Sequence, residues 1–382
     1  MKTGKDSEFS GKLSLASICG QRRLTKKLDR CARCGPMIVG QDRRLRGCDM
    51  RRLLWWIIAL SAALSASQAR AQYQVGDEVV VVWDTQLKVS AAPVQNVFRG
   101  AGFTIEAVQG DWLWVSSEAA GWVGSRFVAA PAAAIALFTQ QIQQNPFDIA
   151  AYEARGRAWR RQGQISLAIS DLTEALRWNP ANAAALSVRG QCWAQTGELD
   201  QAIADYSQVI QLDPRAVITY CHRANAWLEK RDSQRAIADT SEAIRIVPQC
   251  HYALEVRGKA WARDQRYDQA IADWTEALRI DTKSPGAHRL LGWMYATCPD
   301  AKFRDGSSAL EQATKACENT GWKNPALFET LAAAYAEAGH FEQAVQWQTR
   351  AISGSSAKDQ AGLQSRLALY KAGQPYRDAP QK

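Results

Sequence analysis

Histidine is scarce in this chain: four stand among 382 residues, at His222, His251, His288 and His340. They fall in different segments, with the spacing of neither a metal-ligand set nor a nucleophile and its base. A glycine-rich loop ending in Lys-Ser or Lys-Thr is also missing, which removes the commonest cradle for a nucleoside phosphate. Carboxylates are abundant, but on helix surfaces they serve solvation. The sequence therefore predicts no catalytic residue, no cofactor and no metal, and the chain reads as a non-enzyme. No stretch inside the body of the chain approaches the roughly 20 apolar residues that a membrane helix needs.

Positive charge is absent where a nucleic-acid footprint would require it. The formal charge is +9, but residues 1–49 carry 12 Lys and Arg against 5 Asp and Glu, and Arg51, Arg52 and Arg70 add three more. The remaining residues, 72–382, sum to −1. A nucleic-acid partner needs a basic patch on the folded domain, so nucleic acid is set aside. The basic segment has its own explanation. Met50-Arg51-Arg52 precedes an apolar run from Leu53 to Leu60, and small residues follow to Ala69-Arg70-Ala71. Charged, apolar and A-x-A regions in that order predict a signal peptide over 50–71, cleaved before Gln72. The competing reading is an uncleaved signal anchor, the one case in which a membrane would be a partner. Export places the mature chain in the periplasm or cell envelope. Because 49 residues precede this segment, Met50 is expected to be the initiator and 1–49 a disordered or mis-assigned start.

Cysteine is also informative by position. Of nine, Cys19, Cys31, Cys34 and Cys48 precede the signal segment. Cys31-x-x-Cys34 is half of a zinc site with no second pair at suitable spacing. Cys192, Cys221, Cys250, Cys298 and Cys317 remain after export, an odd number that leaves at least one thiol free or intermolecular. Cys298 ends one helix and Cys317 ends the returning one. That separates them by about 16 Å at 1.5 Å per residue, and a disulfide needs Cα atoms within about 7 Å.

What is present begins with short strands. Val79–Trp83, Phe103–Val108, Asp111–Val115 and Gly121–Val123 are apolar or alternating runs separated by turn residues, the pattern of a small β-barrel over 72–130. The order Gly110-Asp111-Trp112 then Gly121-Trp122-Val123 resembles the bacterial SH3-like domain over about 55 residues. That resemblance implies a cell-wall-peptide-binding or targeting module, with peptidoglycan as the candidate partner. Some of Trp83, Trp112, Trp114 and Trp122 would then line an exposed aromatic groove. Trp112 and Trp114 share a face, and two large aromatics on one face favour the barrel core.

Beyond Pro131 the chain repeats. Pro146, Pro180, Pro214 and Pro248 are each 34 apart. Tyr152-x-x-Arg155-Gly156-x-x-Trp159 returns from Leu186 to Trp193, from Tyr220 to Trp227 and from Leu254 to Trp261. Ala168, Ala202, Ala236 and Ala270 follow, then Ala175, Val209, Ala243 and Ala277. This pattern resembles the tetratricopeptide repeat, which implies a mainly α fold: a solenoid of about six helical hairpins over 131–356, with a capping helix and tail over 357–382. Gly163 and Gly197 sit at hairpin turns that want φ > 0. The fifth unit, from His288 to Tyr295, has five extra residues in an enlarged turn at Cys298–Gly306, and the sixth, from Phe328 to Tyr335, is regular. Residues 132–144 predict a lone helix capping the first hairpin. Leu363, Leu367 and Tyr370 share one helical face that caps the last. The stretch Ala296–Tyr376 further resembles the C-terminal part of a group of exported bacterial repeat proteins.

One column departs from the family pattern. Four units place Arg155, Arg189, Arg223 and Arg257 where Leu is usual, and 16 residues later each has Asp171, Asp205, Asp239 or Asp273. A charge on a helix seam needs a partner, so an Arg–Asp ladder is expected, within units or between neighbours, aligning the hairpins.

Function in such a solenoid lies on the concave face lined by first helices. Positions not used for packing include Glu153, Arg157, Arg160 and Arg161, then Gln191 and Gln195, Asn225 and Glu229, Lys259 and Arg263, Arg289 and Trp293, and finally Glu329 and Glu337. The face thus reads basic, then polar, then acidic. Trp293 is the sharpest anchor, unless it contacts the enlarged turn instead. The Lys, Asn and Arg set with which some relatives clamp a C-terminal carboxylate is not found. The sequence therefore predicts an exported scaffold or adaptor that binds a protein or peptide in the groove. The alternative is cell-wall binding through the SH3-like domain.

Overall fold

The structure is a computed structural model that describes residues 73–89, 92–109, 111–117, 120–356 and 360–379. The signal segment, Met50, Gln72, Cys31, Cys34 and Gly110 lie outside the described residues. Seven strands are followed by fourteen helices among the described residues.

The strands are β1 (Glu78–Val81), β2 (Thr85–Val89), β3 (Ala92–Val97), β4 (Gly102–Gln109), β5 (Trp112–Ser116), β6 (Ala120–Gly124) and β7 (Val128–Ala129). They form one antiparallel sheet in the order β3-β2-β6-β5-β4-β1-β7. β1 and the residue after it carry four consecutive valines, Val79–Val82, and the structure shows why. Val79 and Val81 enter the sheet's own core with Phe103, Ile105, Leu113, Val115 and Val123. Val80 and Val82 face the other way, into a second core with helical residues. A strand buried on both sides has no position for a polar side chain.

The helices pair as six hairpins between two single helices. α1 (Pro131–Gln144) comes first. The hairpins are α2 (Ile149–Arg161) with α3 (Ile165–Trp178), α4 (Ala183–Thr196) with α5 (Leu199–Leu212), and α6 (Val217–Glu229) with α7 (Ser233–Ile246). α8 (His251–Arg263) follows with α9 (Tyr267–Ile280), α10 (Pro285–Thr297) with α11 (Gly306–Asn319), and α12 (Phe328–Glu337) with α13 (Phe341–Ser353). α14 (Gln360–Lys371) closes the array, with Leu363 and Tyr370 buried. Helix starts are capped from the sequence: Asp148, Asn182 and Ser284 each accept from a backbone N–H three residues on. Gly163 and Gly197 turn the chain at φ +74° and +84°.

Small residues set the hairpin spacing. Ala168, Ala202, Ala236 and Ala270 are fully buried. A Cβ at Gly190 would stand 2.7 Å from Tyr206, and one at Gly258 would stand 2.2 Å from Trp274. Where the column holds Ala224 instead of glycine, the residue 16 later is the smaller Thr240, also fully buried. Each hairpin thus fits its own bulky residue to its own gap.

The β-unit and the helices share a core. Ala134, Ile135 and Phe138 of α1 and Ala154 and Ala158 of α2 pack on Val80 and Val82. Gly100, at φ +83°, lies so close to α2 that a Cβ would meet the Ala154 backbone at 2.7 Å. The placing of Trp112 and Trp114 in the barrel core is corrected here. Leu113 and Val115 are the buried pair, at 1% and 0% exposure, while Trp112 is 40% exposed. Alternation requires Trp112 and Trp114 to share a face, and the smaller, branched residues take the inner one. Trp83 is also exposed, at 51%.

Candidate functional site

The Arg–Asp column is a set of bidentate pairs inside each hairpin. Arg155 donates from Nε and Nη2 to the two Asp171 oxygens at 2.7 Å each. Arg189 reaches Asp205 at 2.8 and 2.7 Å, Arg223 reaches Asp239 at 2.9 and 2.7 Å, and Arg257 reaches Asp273 at 2.8 and 2.7 Å. The hydrogen bond it donates to Asp171 holds the Arg155 guanidinium above its ordinary pKa. A third donor crosses to the preceding helix: Arg155 Nη1 bonds Thr139 at 3.0 Å, Arg189 Nη1 bonds Thr173 at 3.2 Å and Arg223 Nη1 bonds Ser207 at 2.9 Å. One guanidinium therefore ties its own hairpin together and also ties it to its neighbour. The sequence reading missed these hydroxyls. Their signal was there, since Thr139, Thr173, Ser207 and Ser241 stand 34 apart, each 16 before an arginine. All this chemistry is spent inside the array, so the ladder is architecture.

The concave face differs at both ends from its sequence reading. Arg157 and Arg161 are taken by the β-unit. Arg157 pairs with Glu153 and donates to the Arg99 carbonyl at 3.2 Å, and Arg161 pairs with Glu78 of β1 at 3.3 Å. The basic N-terminal end of the groove is thus largely a docking surface for the chain's own sheet. Arg160 remains half-buried, with a buried Nε that no described residue accepts from. At the other end the acidic groups are paired: Glu329 with Arg366, and Glu337 with Arg304 at 3.4 Å and Arg377 at 2.6 Å.

The middle is where predicted residues meet. Asn225, Glu229, Lys259, Arg263 and Trp293 line one cavity of about 330 Å3, with Leu228, Tyr267, Leu290 and Met294 as its apolar wall. Gln191 lies toward the N-terminal side, its amide 3.5 Å from His222 Nδ1, and Gln195 is exposed. Asn225 Nδ2 donates to Tyr252 Oη at 3.0 Å, and Arg263 donates to the Leu228 carbonyl. Lys259 and Arg289 are cations on adjacent first helices. Burial holds both below their ordinary pKa, and Arg289 beside it lowers Lys259 further.

Trp293 is neither an open anchor nor packed on the enlarged turn. The segment after α14 returns across α10 and covers it. Trp293 Nε1 donates to Asp378 Oδ2 at 2.6 Å, and its ring lies 6.0 Å from that of Tyr376. The enlarged turn packs elsewhere, with Phe303 edge-on to Tyr267 at 5.6 Å and Arg304 Nη1 on the Cys298 carbonyl at 2.8 Å.

A second surface lies on the outer side of the sheet. Trp114 and Trp122 meet edge to face at 5.5 Å, and Lys88 stands 5.3 Å from the Trp112 ring. Cys298 and Cys317 are buried in different clusters, and all five described cysteines are free. Among the described residues no group of three or more His, Cys, Asp and Glu is placed to hold a metal ion. No helix among them is long and apolar enough to cross a membrane.

The tetratricopeptide repeat family model matches residues 153–217 and 222–295. Of the solved structures, the Cut9–Hcn1 hetero-tetramer of the APC/C superposes with a TM-score of 0.52 at 15% identity, over 61% of this chain and 45% of that one. A tetratricopeptide repeat protein from Parabacteroides merdae gives 0.49 at 15%, over 63% and 92%. MamA from Desulfovibrio magneticus gives 0.40 at 20%, over 46% and 97%. A comparison with curated proteins finds no match. Tetratricopeptide repeats thus span the matched residues of the helical part, and at 15% identity the Cut9–Hcn1 superposition speaks for the fold alone.

Proposed function

We propose that this chain is a non-catalytic scaffold that holds a partner protein by an extended segment laid along the concave face. Tetratricopeptide repeats mediate protein–protein interaction, and the observation that carries the reading is the cavity in the middle of the groove. Five residues from three first helices converge on it, one of them an aromatic and two of them cations. Apolar wall, hydrogen-bonding amide and charge together make a peptide-binding surface. The test is photo-cross-linking from Asn225 in the native cell. A partner captured there, and lost on Lys259→Glu, supports the reading. Capture only from a cross-linker placed on the second helices, at Gln208 for example, sinks it.

Export to the periplasm or envelope belongs to the same proposal, supported by the charged, apolar and A-x-A order over 50–71. Its check is the N-terminus of the mature protein in an envelope fraction: a start at Gln72 agrees, and an intact Met50 in the cytoplasm does not. The second reading, an SH3-like module that binds cell-wall peptide, gains one specific observation. Trp112 stands exposed beside the Trp114–Trp122 pair on the outer sheet face. Retention of the full chain on purified sacculi, lost on Trp112→Ala, would favour it.

A further inference from the structure

The concave face already contains a peptide. After Gly373 the chain has no regular secondary structure from Gln374 to Ala379 and runs against α10 and α12. Its bonds are those of a bound ligand. Asp378 N–H donates to the Thr297 carbonyl at 2.9 Å. One Asp378 oxygen accepts from both Trp293 Nε1, at 2.6 Å, and Thr297 Oγ1, at 2.9 Å. Arg377 donates to the Ala296 carbonyl at 3.2 Å and pairs with Glu337. Tyr376 lies between Trp293 and Arg366, whose guanidinium is 5.2 Å from the Tyr376 ring and 5.7 Å from that of Trp293.

The segment does not fill the groove. Asp378 and Ala379 form one wall of the 330 Å3 cavity, and Lys259 and Arg263 form another. Lys259 Nζ makes no hydrogen bond or ion pair among the described residues, and the charges that act on it are the Arg289 cation, which lowers its pKa, and the Glu255 carboxylate, which raises it. Of the neighbouring carboxylates, Glu329 pairs with Arg366, and Glu255 accepts from Ser284 while remaining the one anion shared by the two cations. Two like charges side by side in a half-buried groove, where burial outweighs the pull of Glu255 and Glu329, are costly, and a further anion relieves them. Glu229, exposed on the same cavity wall, marks how far that preference for anions extends.

We propose that Gln374–Ala379 is a self-ligand, and that the partner presents an extended acidic segment that displaces it. One partner carboxylate takes the Asp378 seat on Trp293 and Thr297, and a following one reaches Lys259. This rests on the concave-face reading of the previous subsection and adds the partner's chemistry and its competitor. A free main-chain N–H is specified by the Thr297 carbonyl, which accepts one, and acidity by the Trp293 donor and the Lys259 cation.

The probe is a fluorescein-labelled peptide, Gln-Pro-Tyr-Arg-Asp-Ala-Glu-Glu, followed by anisotropy. The wild-type chain should bind it weakly and Asp378→Lys, whose tail loses its seat, at least tenfold more tightly. Adding Lys259→Glu to Asp378→Lys should reverse that gain at least tenfold. Equal affinity for wild type and Asp378→Lys overturns the self-ligand, and indifference to Lys259→Glu overturns the acidic partner. If Asp378→Lys fails to fold by circular dichroism, the chain ending at Gly373 replaces it with the same expectations. Failure of the groove itself is distinguished by a displayed peptide library selected on the same protein. Neutral or basic binders abolished by Asn225→Arg keep the groove and overturn the acidic self-ligand. Binders that ignore both Asn225→Arg and Lys259→Glu overturn both.

Discussion

Removing one member of an Arg–Asp pair should cost far more than half of what removing both costs. In the second hairpin the Arg189 and Asp205 side chains are 19% and 5% exposed. Asp205→Ala leaves Arg189 with two donors unpaired and only Thr173 still accepting. An orphaned buried charge costs about 3–5 kcal/mol. Water reaches a fifth of the arginine, so the expected loss is about 2–3 kcal/mol. Arg189→Ala leaves the more deeply buried carboxylate alone, with an expected loss of about 3–4 kcal/mol. The double variant orphans nothing and forfeits mainly the packing of the arginine stem, about 1–2 kcal/mol. The cycle should therefore show a coupling of at least ~2 kcal/mol. Urea melts followed by circular dichroism measure it, and each single variant should lower Tm by about 5–12 °C for a solenoid of this size. Because repeats contact only their neighbours, the loss can also appear as a separate early transition of the damaged hairpin. Singles within about 0.5 kcal/mol of wild type, or a double equal to their sum, would refute the claim that these pairs lock the hairpins.

The gap at Gly258 is filled by Trp274, whose Nε1 donates to the Glu255 carbonyl at 3.1 Å. Gly258→Ala should overpack it and cost about 1–3 kcal/mol, whereas a stable variant in a thermal melt would show that the indole can step aside. On the sheet, Leu113→Ala should cost about 2–4 kcal/mol and Trp112→Ala less than about 1 kcal/mol, an order that reverses if the tryptophans form the core. Cys250 caps α8, and the hydrogen bond donated by Cys221 holds its thiol below the ordinary range against the opposing effect of burial. A lowered pKa raises the thiolate fraction at neutral pH, so Cys250 should alkylate ahead of the other described cysteines with iodoacetamide at pH 7. Cys221→Ala, which deletes the donor, should slow that alkylation at pH 7, and an unchanged rate would contradict the pairing.

The array was legible because its causes are local and repeated. Proline, small residues and aromatics recur every 34 positions, and each hairpin buries the same columns whatever its neighbours elsewhere. The ladder partners were legible for the same reason, since a spacing of 16 places both members across one hairpin in every unit. The hydroxyl column lay in the same register but gives a weak signal, because serine and threonine are common on helix surfaces.

What the sequence could not decide was which face or which partner. Alternation puts Trp112 and Trp114 on one side of a strand, but only the packed sheet shows that Leu113 and Val115 fill its interior. Counting helix positions puts Arg157, Arg161 and Trp293 on the concave side, but the first two are claimed by the sheet and the third by the C-terminal segment. Those contacts join parts of the chain that do not repeat, 58, 83 and 85 residues apart. Periodicity fixes neighbours along a helix and between adjacent hairpins. Contacts across such distances depend on how finished elements dock, and that is settled by shape and burial in three dimensions.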